Sequence, residues 1–420
     1  MMGRPRSADR GIPALVLGTG ITALGMVRCL GRQGIPAYLW DDEANLASRS
    51  RWAKSLPSRW GRGGGMENLS RELQNIELER AVLVPCSDAA VLAAAGLPEE
   101  LHERFPVSLP GLAQLRRLVD KQGLARLLRD EGIPHPSTWT IEDEDALATM
   151  PEERFLEGFL KPRDSQAFFR HFATKAFFVE DRADAVERYR KVRDAGLDVV
   201  LQEYVPGPPS NHVFFEGVRD RNGEIAAPFA RRRLRMYPPG FGNSSLMVSV
   251  SPDEVAGAVE HMKRLLAAVA YRGVFSAEFK QHARDGTYRL LEVNCRPWWY
   301  VEFAERSGAA IGTTAYYDAL DLSHPDSSEP EVGIHCVYPE YDLAGFRYQS
   351  GGSRVSAWRW FRPWLRARQA VLVWDDPLPA VHAGARYLWE RLFRRDRNQS
   401  KRPPTDRSYR QSLSGKPIRR

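Results

Sequence analysis

The 420-residue chain is 43% hydrophobic and 27% charged, a balance that supports a sizeable core in roughly two to four packed units and excludes a small cross-linked scaffold or a wholly disordered chain. Its net charge of +7 belongs to one end: residues 391–420 carry eleven Lys/Arg against two Asp, which leaves about −2 for the rest. A nucleic-acid enzyme more often spreads positive charge over its folded body, so the end reads as a solvated tail or a weak contact with an anionic surface, and sequence-specific nucleic-acid binding is not expected.

In chain order, residues 1–12 hold no apolar run and are expected to be flexible. Residues 13–17 (PALVL) predict a buried strand, Gly18-Thr19-Gly20 a turn into a helix reaching about residue 33, and residues 36–40 (PAYLW) a second strand ending before Asp41. After a Gly-rich stretch at 57–65 come a helix at 67–79 and the strand AVLVP, so 13–113 reads as an open, mostly parallel α/β domain. Leu115, Leu118, Val119, Leu124, Leu127 and Leu128 recur at helical spacing and predict one connector helix over 114–131 within a linker ending at 154. Residues 155–210 give strands FLKP and KAFFV, a charged helix at 184–195 and strand VVLQEYV, a small α+β unit. Strands dominate 212–250, an amphipathic helix follows at 252–270, and a hairpin occupies 273–296, so 211–330 forms a larger, antiparallel α+β unit. Residues 331–390, with Trp358, Trp360, Trp364, Trp374 and Trp389, read as an appended module whose aromatics pack on the body or meet a protein or lipid. The basic segment 391–420 is expected to be disordered. Cys29, Cys86, Cys295 and Cys336 form no CxxC pair, so neither a zinc site nor a disulfide framework is expected. The apolar stretch 81–97 is broken by Pro85, Ser87 and Asp88, so no membrane span is expected, and a cytoplasmic location is.

The hairpin GVFSAEFKQHARDGTYRLLEVNCRPW carries the strongest chemical signal. Arg284-Asp285-Gly286 reads as a three-residue loop with Gly at the position that needs positive φ. Counting from it puts Glu278 opposite Glu292, with Asn294 two residues on and therefore on the same face. Opposed carboxylates repel unless a cation lies between them, and oxygen ligands of this kind suit Mg²⁺ with phosphate. The alternative is an acidic, solvated sheet face. A two-residue Asp-Gly turn would shift the register by one and turn Glu278 away, so the inference depends on the loop.

Lys121, Lys161 and Lys175 are candidates to meet the phosphates of a nucleotide, although a strand-end Lys is equally at home in solvent. A polar turn at Asp164-Ser165-Gln166 could fold over those phosphates, and the break after Gln202-Glu203-Tyr204-Val205 could read an adenine edge through its backbone. Strand alternation places Arg231, Arg233 and Arg235 on one face, suited to bidentate carboxylate or phosphate recognition; a charged edge strand would look the same.

The order DK, LKP, QEYVPG, AEF and LEVNCRP behind an α/β domain resembles the ATP-grasp superfamily over about residues 13–310. More narrowly, KPRDSQAFF, KAFFV and LRMYPPGFG resemble its carboxylate-amine ligases, the D-aspartate ligase-like branch. The resemblance implies a pre-ATP-grasp domain, a small lid and a larger subdomain, with ATP between the last two. It implies that Lys121, Lys161, Ser165 and Lys175 contact phosphates or adenine, that Gln202 and the backbone of Glu203 and Val205 hold adenine, and that Glu278, Glu292 and Asn294 bind one or two Mg²⁺ ions, with Mn²⁺ as a substitute. Arg296 matches an Arg that steadies the transferring phosphoryl group or the acyl-phosphate, and Arg233 and Arg235 would contact an anionic substrate. The implied activity is ADP-forming ligation of a small-molecule carboxylate, such as an amino acid, to an amine; the state of assembly stays open between monomer and homodimer. Two departures stand out: Gln202 replaces a common Glu, and the phosphate loop is poor in glycine. No acidic residue for the ribose hydroxyls is evident.

A rival reading is a nicotinamide or flavin enzyme, since Gly18-Thr19-Gly20-Ile21-Thr22-Ala23 fits GxGxxA and Asp41 lies about twenty residues on. It explains the first domain alone and leaves the hairpin unexplained. A second is a non-catalytic nucleotide-binding scaffold that uses the Trp-rich module and basic tail.

Overall fold

The computed structural model describes residues 11–40, 45–56, 65–324, 329–350 and 356–393. The expectations for residues 1–10, for Asp41, for the Gly-rich stretch up to residue 64 and for the tail from 394 concern positions outside the described residues.

Three sheets organise the chain. In the first domain β1 (Ala14–Leu17), β2 (Ala37–Leu39), β3 (Ala53–Ser55) and β4 (Val82–Pro85) form a fully parallel sheet in the order β3-β2-β1-β4. β1 and β4 are buried along their whole length, as expected for strands covered on both faces. The following helix is shorter than the sequence spacing predicts, Leu69–Asn75, because Ile76 returns to extended backbone. The small unit is a four-stranded sheet of β5 (Thr138–Thr140), β6 (Gly158–Pro162), β7 (Phe177–Phe178) and β8 (Val199–Glu203), antiparallel throughout. The large sheet has seven strands in the order β13-β12-β9-β10-β11-β14-β15, built from β9 (His212–Arg219), β10 (Phe229–Tyr237), β11 (Asn243–Val250), β12 (Gly273–Gln281), β13 (Tyr288–Asn294), β14 (His335–Val337) and β15 (Arg368–Gln369).

Four expectations change. The connector is two helices, Leu112–Val119 and Lys121–Asp130, broken at Asp120, whose extended backbone lets its carboxylate accept the Gly123 N–H at 2.6 Å and cap the second helix. The segment 164–166 opens the helix Ser165–Phe172 rather than a turn, with Asp164 accepting from the Ala167 N–H, and the strand after it shrinks to Phe177–Phe178, leaving Lys175 in the preceding loop. Residues 331–390 are no separate module: β14 and β15 extend the large sheet past residue 330. In β10 the register shifts on both sides of Arg235, so Arg231, Arg233 and Arg235 do not share one regular face.

Packing separates the small unit from the rest. Its core of Ile141, Leu147, Phe155, Leu160, Phe168, Tyr189, Val192 and Leu201 is its own. The first domain instead shares a core with the large one, Met26 and Val27 packing with Val301, Phe303 and Ile311. Arg28, fully buried, strengthens that junction by bonding Glu302 and Asp376 at 2.9 Å each. Among the described residues no helix is long and apolar enough to cross a membrane.

Candidate active site

The β12–β13 hairpin sets Glu278 directly opposite Glu292 and Ser276 opposite Asn294. The route differs from the three-residue loop expected. Next to the turn, Lys280 faces Arg289 and Gln281 faces Tyr288, and the His282 N–H bonds to Thr287 O, so four residues, 283–286, form the loop. A bulge between Phe279 and Glu278 leaves Leu291 unpaired and restores the register. That one extra residue lets Leu290 and Val293 both enter the core while the exposed Glu292 and the half-buried Asn294 face the other way.

Three basic groups fix the Glu278 side of this face. Arg233 Nη2 stands 3.1 Å and His212 Nδ1 2.7 Å from Glu278 Oε1. Burial alone would raise the Glu278 carboxyl, but Arg233 and then His212 outweigh it and hold it well below the usual carboxylate range. Burial and Arg233 push His212 down to about 4, so it is neutral at pH 7, and its Nδ1 lies between Glu278 Oε1 and Arg233 Nη1, 3.2 Å from the latter. Lys280, two residues along from Glu278, lies 4.3 Å over the Tyr204 ring, and burial lowers it to about 7.

The lysines converge from the other units. Lys161 Nζ donates to Gln202 Oε1 at 3.0 Å, Lys175 Nζ to Asn243 Oδ1 at 2.6 Å, and Lys121 Nζ to the carbonyls of Pro162 and Arg163. Burial lowers all three, Lys121 to about 8, and each is raised in part by Glu292. Lys161 and Lys175 also feel Glu278. A common field of two carboxylates and three partly desolvated ammonium groups suits a polyanion carrying a divalent cation. Among the described residues no three His, Cys, Asp or Glu side chains gather on one point. An ion here would therefore rely on Glu278, Glu292, the Asn294 amide and oxygens from outside the chain, a donor set that fits Mg²⁺ with phosphate.

Beside Gln202 the sheet face is aromatic. Phe241, from the loop between β10 and β11, stacks on Phe178 at 4.4 Å and lies 4.8 Å from Phe159 and 6.2 Å from Tyr204. Val205 is buried, and the Glu203 N–H is bound to Ser137 O while its carboxylate accepts from the Ser137 N–H at 3.0 Å.

Lys121, Lys161, Lys175, Gln202, Arg233, Glu278 and Glu292 are thus brought together. Arg235 is not: it pairs with Asp342 at 3.1 Å and lies 4.1 Å over Trp360. Arg296 pairs with Asp88 of the first domain at 2.7 Å. The Ser165 side chain lies outside the described features. His212, Asn243, Lys280, Tyr204 and Phe241 were not singled out from the sequence. Strand alternation from Glu278 marks Lys280, but His212 meets Glu278 only because β9 inserts between β10 and β12, which no local pattern reveals.

In the first domain, Asn45 accepts from the Gly20 N–H and donates to Gly18 O, both at 3.1 Å. The first helix amide that a dinucleotide pyrophosphate would need is therefore already bound to a side chain. Gly18, at φ 151°, is required by the approach of Cys86, whose Cβ would lie 2.8 Å from an added methyl. Both glycines serve the fold.

No family model matches the chain. It is 23% identical over 241 residues to D-aspartate ligase of Enterococcus faecium, a match covering 55% of this chain and 56% of that protein, so the chain spans about half the length of the curated relative it matches. Among solved structures it resembles carboxyaminoimidazole ribonucleotide synthase from Aspergillus clavatus, complexed with ATP (TM-score 0.57, 17% identity, 78% of this chain and 81% of that one). It also resembles biotin carboxylase from Campylobacter jejuni (0.59, 14%, 78% and 75%) and L-amino acid ligase from Bacillus licheniformis (0.54, 14%, 74% and 74%). What the chain shares with these solved structures is the fold, a parallel α/β domain, a small antiparallel sheet and a large sheet arranged as described above.

Proposed function

We propose that the chain is an ATP- and Mg²⁺-dependent carboxylate-amine ligase that releases ADP and forms an amide through an acyl-phosphate. The observation that carries this reading is Glu278 opposed to Glu292 in one field with Lys121, Lys161 and Lys175. The similarity to D-aspartate ligase supports an amino acid or related small carboxylate as the acid.

A carboxylate is a poor electrophile. In the proposed reaction its oxygen attacks the γ-phosphorus of ATP while the bond to the ADP oxygen breaks. The amine nitrogen then attacks the acyl carbon, the bond to phosphate breaks, and the amine proton leaves to solvent. Lys161 and Lys175 hold the phosphates and offset charge passing to ADP, a task of positioning and electrostatics. Mg²⁺, held by Glu278, Glu292 and Asn294, would neutralise phosphate charge. Arg233 and His212 keep Glu278 ionised and oriented, so they serve as positioning residues. Gln202 and the backbone near Val205 would read the base beside the aromatic face. Arg296 would have to exchange Asp88 for the acyl-phosphate to act there, and Arg235 would have to leave Asp342 to meet substrate. The small unit, with its separate core, would act as a lid that keeps water from the intermediate.

Hydroxylamine traps acyl-phosphates as hydroxamates. Purified protein with Mg-ATP and a panel of amino acids is expected to yield ATP-dependent hydroxamate with at least one acid and none with Glu292→Gln. ATP turnover without hydroxamate for any acid would contradict the acyl-phosphate step.

A further inference from the structure

Lys280 has no part in the chemistry proposed above, yet it is 2% exposed and, among the described residues, the only lysine that is buried. Its place follows from strand alternation: Ser276, Glu278 and Lys280 share the face of β12 that carries the opposed carboxylates. Two residues along a strand span about 6.8 Å, so Lys280 stands about that far beyond Glu278, on the side of Tyr204.

The ammonium is incompletely satisfied. Its one hydrogen bond to a described residue is to the Tyr204 hydroxyl at 3.3 Å, and it lies 4.3 Å over the same ring. The nearby carboxylates are engaged elsewhere. Glu278 is held by Arg233 and His212, while Glu203, next to Tyr204, accepts from the Ser137 N–H and faces Arg289 at 3.7 Å. Protonated, Lys280 has three N–H groups, and the bond to Tyr204 leaves two without an acceptor among the described residues; neutral, it still leaves at least one. A buried donor without an acceptor costs stability, and a methionine would fill the same space at no such cost. Packing alone therefore does not account for a lysine here, whereas an acceptor arriving with a ligand would.

The position suits the nucleoside rather than the phosphates. Glu278, Lys161 and Lys175 mark the phosphate end in the proposed function. Lys280 points past Glu278 to Tyr204, within the segment 202–205 proposed to hold the base, and the Tyr204 ring meets Phe178 and Phe159 of the aromatic face at 5.2 and 6.4 Å. On the reading that this face binds a nucleotide, we propose that Lys280 is a nucleoside-binding residue, donating from Nζ to a purine ring nitrogen or a ribose hydroxyl.

Calorimetric titration of the full chain carrying Lys280→Met tests it, with Mg-ATP and, as the comparison, magnesium tripolyphosphate, which has no nucleoside. Affinity for ATP is expected to fall at least about tenfold, as for loss of a hydrogen bond to a charged group, while affinity for tripolyphosphate stays within about twofold. Circular dichroism should be unchanged and the urea midpoint equal or higher, since the substitution removes a buried charge. With 2′,3′-dideoxy-ATP the difference between the two proteins closes if the acceptor is a ribose hydroxyl and persists if it is a purine nitrogen. Unchanged ATP affinity in Lys280→Met would overturn the proposal. So would equal weakening of ATP and tripolyphosphate, which would make Lys280 a distant charge or a prop for the fold. Absence of Mg-ATP binding by the unaltered chain would instead remove the nucleotide reading itself.

Discussion

Glu278 is a carboxylate held ionised by its neighbours, as the proposed cation site requires. Its pair with Arg233 is buried on the arginine side, which is 5% exposed, and half-shielded on its own at 19%. Arg233→Ala removes the main compensation for a desolvated charge, and losing one partner of a buried pair costs about 3–5 kcal/mol. Because Glu278 keeps some exposure and His212, the lower half of that range is expected in urea denaturation, together with loss of ATP turnover. Little or no stability change would show that Glu278 is not held by Arg233. Lys121 gives a pH signature. Its pKa is lowered from 10.5 to about 8, mainly by burial, so its positive charge is full below that value and lost as pH rises through it. ATP affinity is expected to weaken above about pH 8, and Lys121→Arg, which stays charged, should remove that inflection in a binding titration. An unchanged pH profile in that variant would place the inflection elsewhere. At this scale the sequence spoke clearly where chemistry repeats along one strand, as with Glu292 and Asn294. It was silent on His212 and Phe241, whose roles arise from strands and loops distant in sequence.

Elements were legible where a local pattern decides them. β1, β4, β6, β8 and the hairpin strands lie where apolar runs and turn residues put them. The errors have local physical causes that a periodicity count overlooks. Asp120 sits mid-pattern in an apolar helical repeat, yet as a cap it ends one helix and starts another, which places Lys121 at the first position of the second. The expected pairing of Glu278 with Glu292 came about through a longer loop and a bulge that offset each other, a coincidence of count that spacing alone cannot separate. The small unit has its own core, and among its close partners across the gap are Lys175 with Asn243 and Phe178 with Phe241. Binding that bridges the gap should rigidify it. Hydrogen exchange across Gly158–Pro162 and Val199–Glu203 is expected to slow on adding Mg-ATP while β1 and β4 stay unchanged. Equal slowing everywhere, or none, would argue against a lid.

For the whole molecule, α/β alternation followed by strand-rich segments indicated a parallel domain, a small α+β unit and a larger antiparallel one, and the structure has a sheet in each, the large one antiparallel except where β14 pairs with β15. Sequence did not reveal that β14 and β15 complete the large sheet, because a three-residue and a two-residue strand carry too little pattern, and their pairing is set by the strands they join. Nor did it reveal that Arg28 and Asp376, 348 residues apart, lock the first domain to the C-terminal segment. In the proposed function these contacts make a base against which the small unit and the Glu278–Glu292 face would meet a nucleotide. Calorimetric titration of the purified protein with ATP, with and without Mg²⁺, tests that meeting most directly, with NADH as the comparison. Magnesium-dependent ATP binding that Glu292→Gln abolishes, in a variant that stays folded because the side chain is exposed, is the predicted result. Binding of NADH with no response to ATP would contradict the account and return the site to Gly18, Gly20 and Asp41.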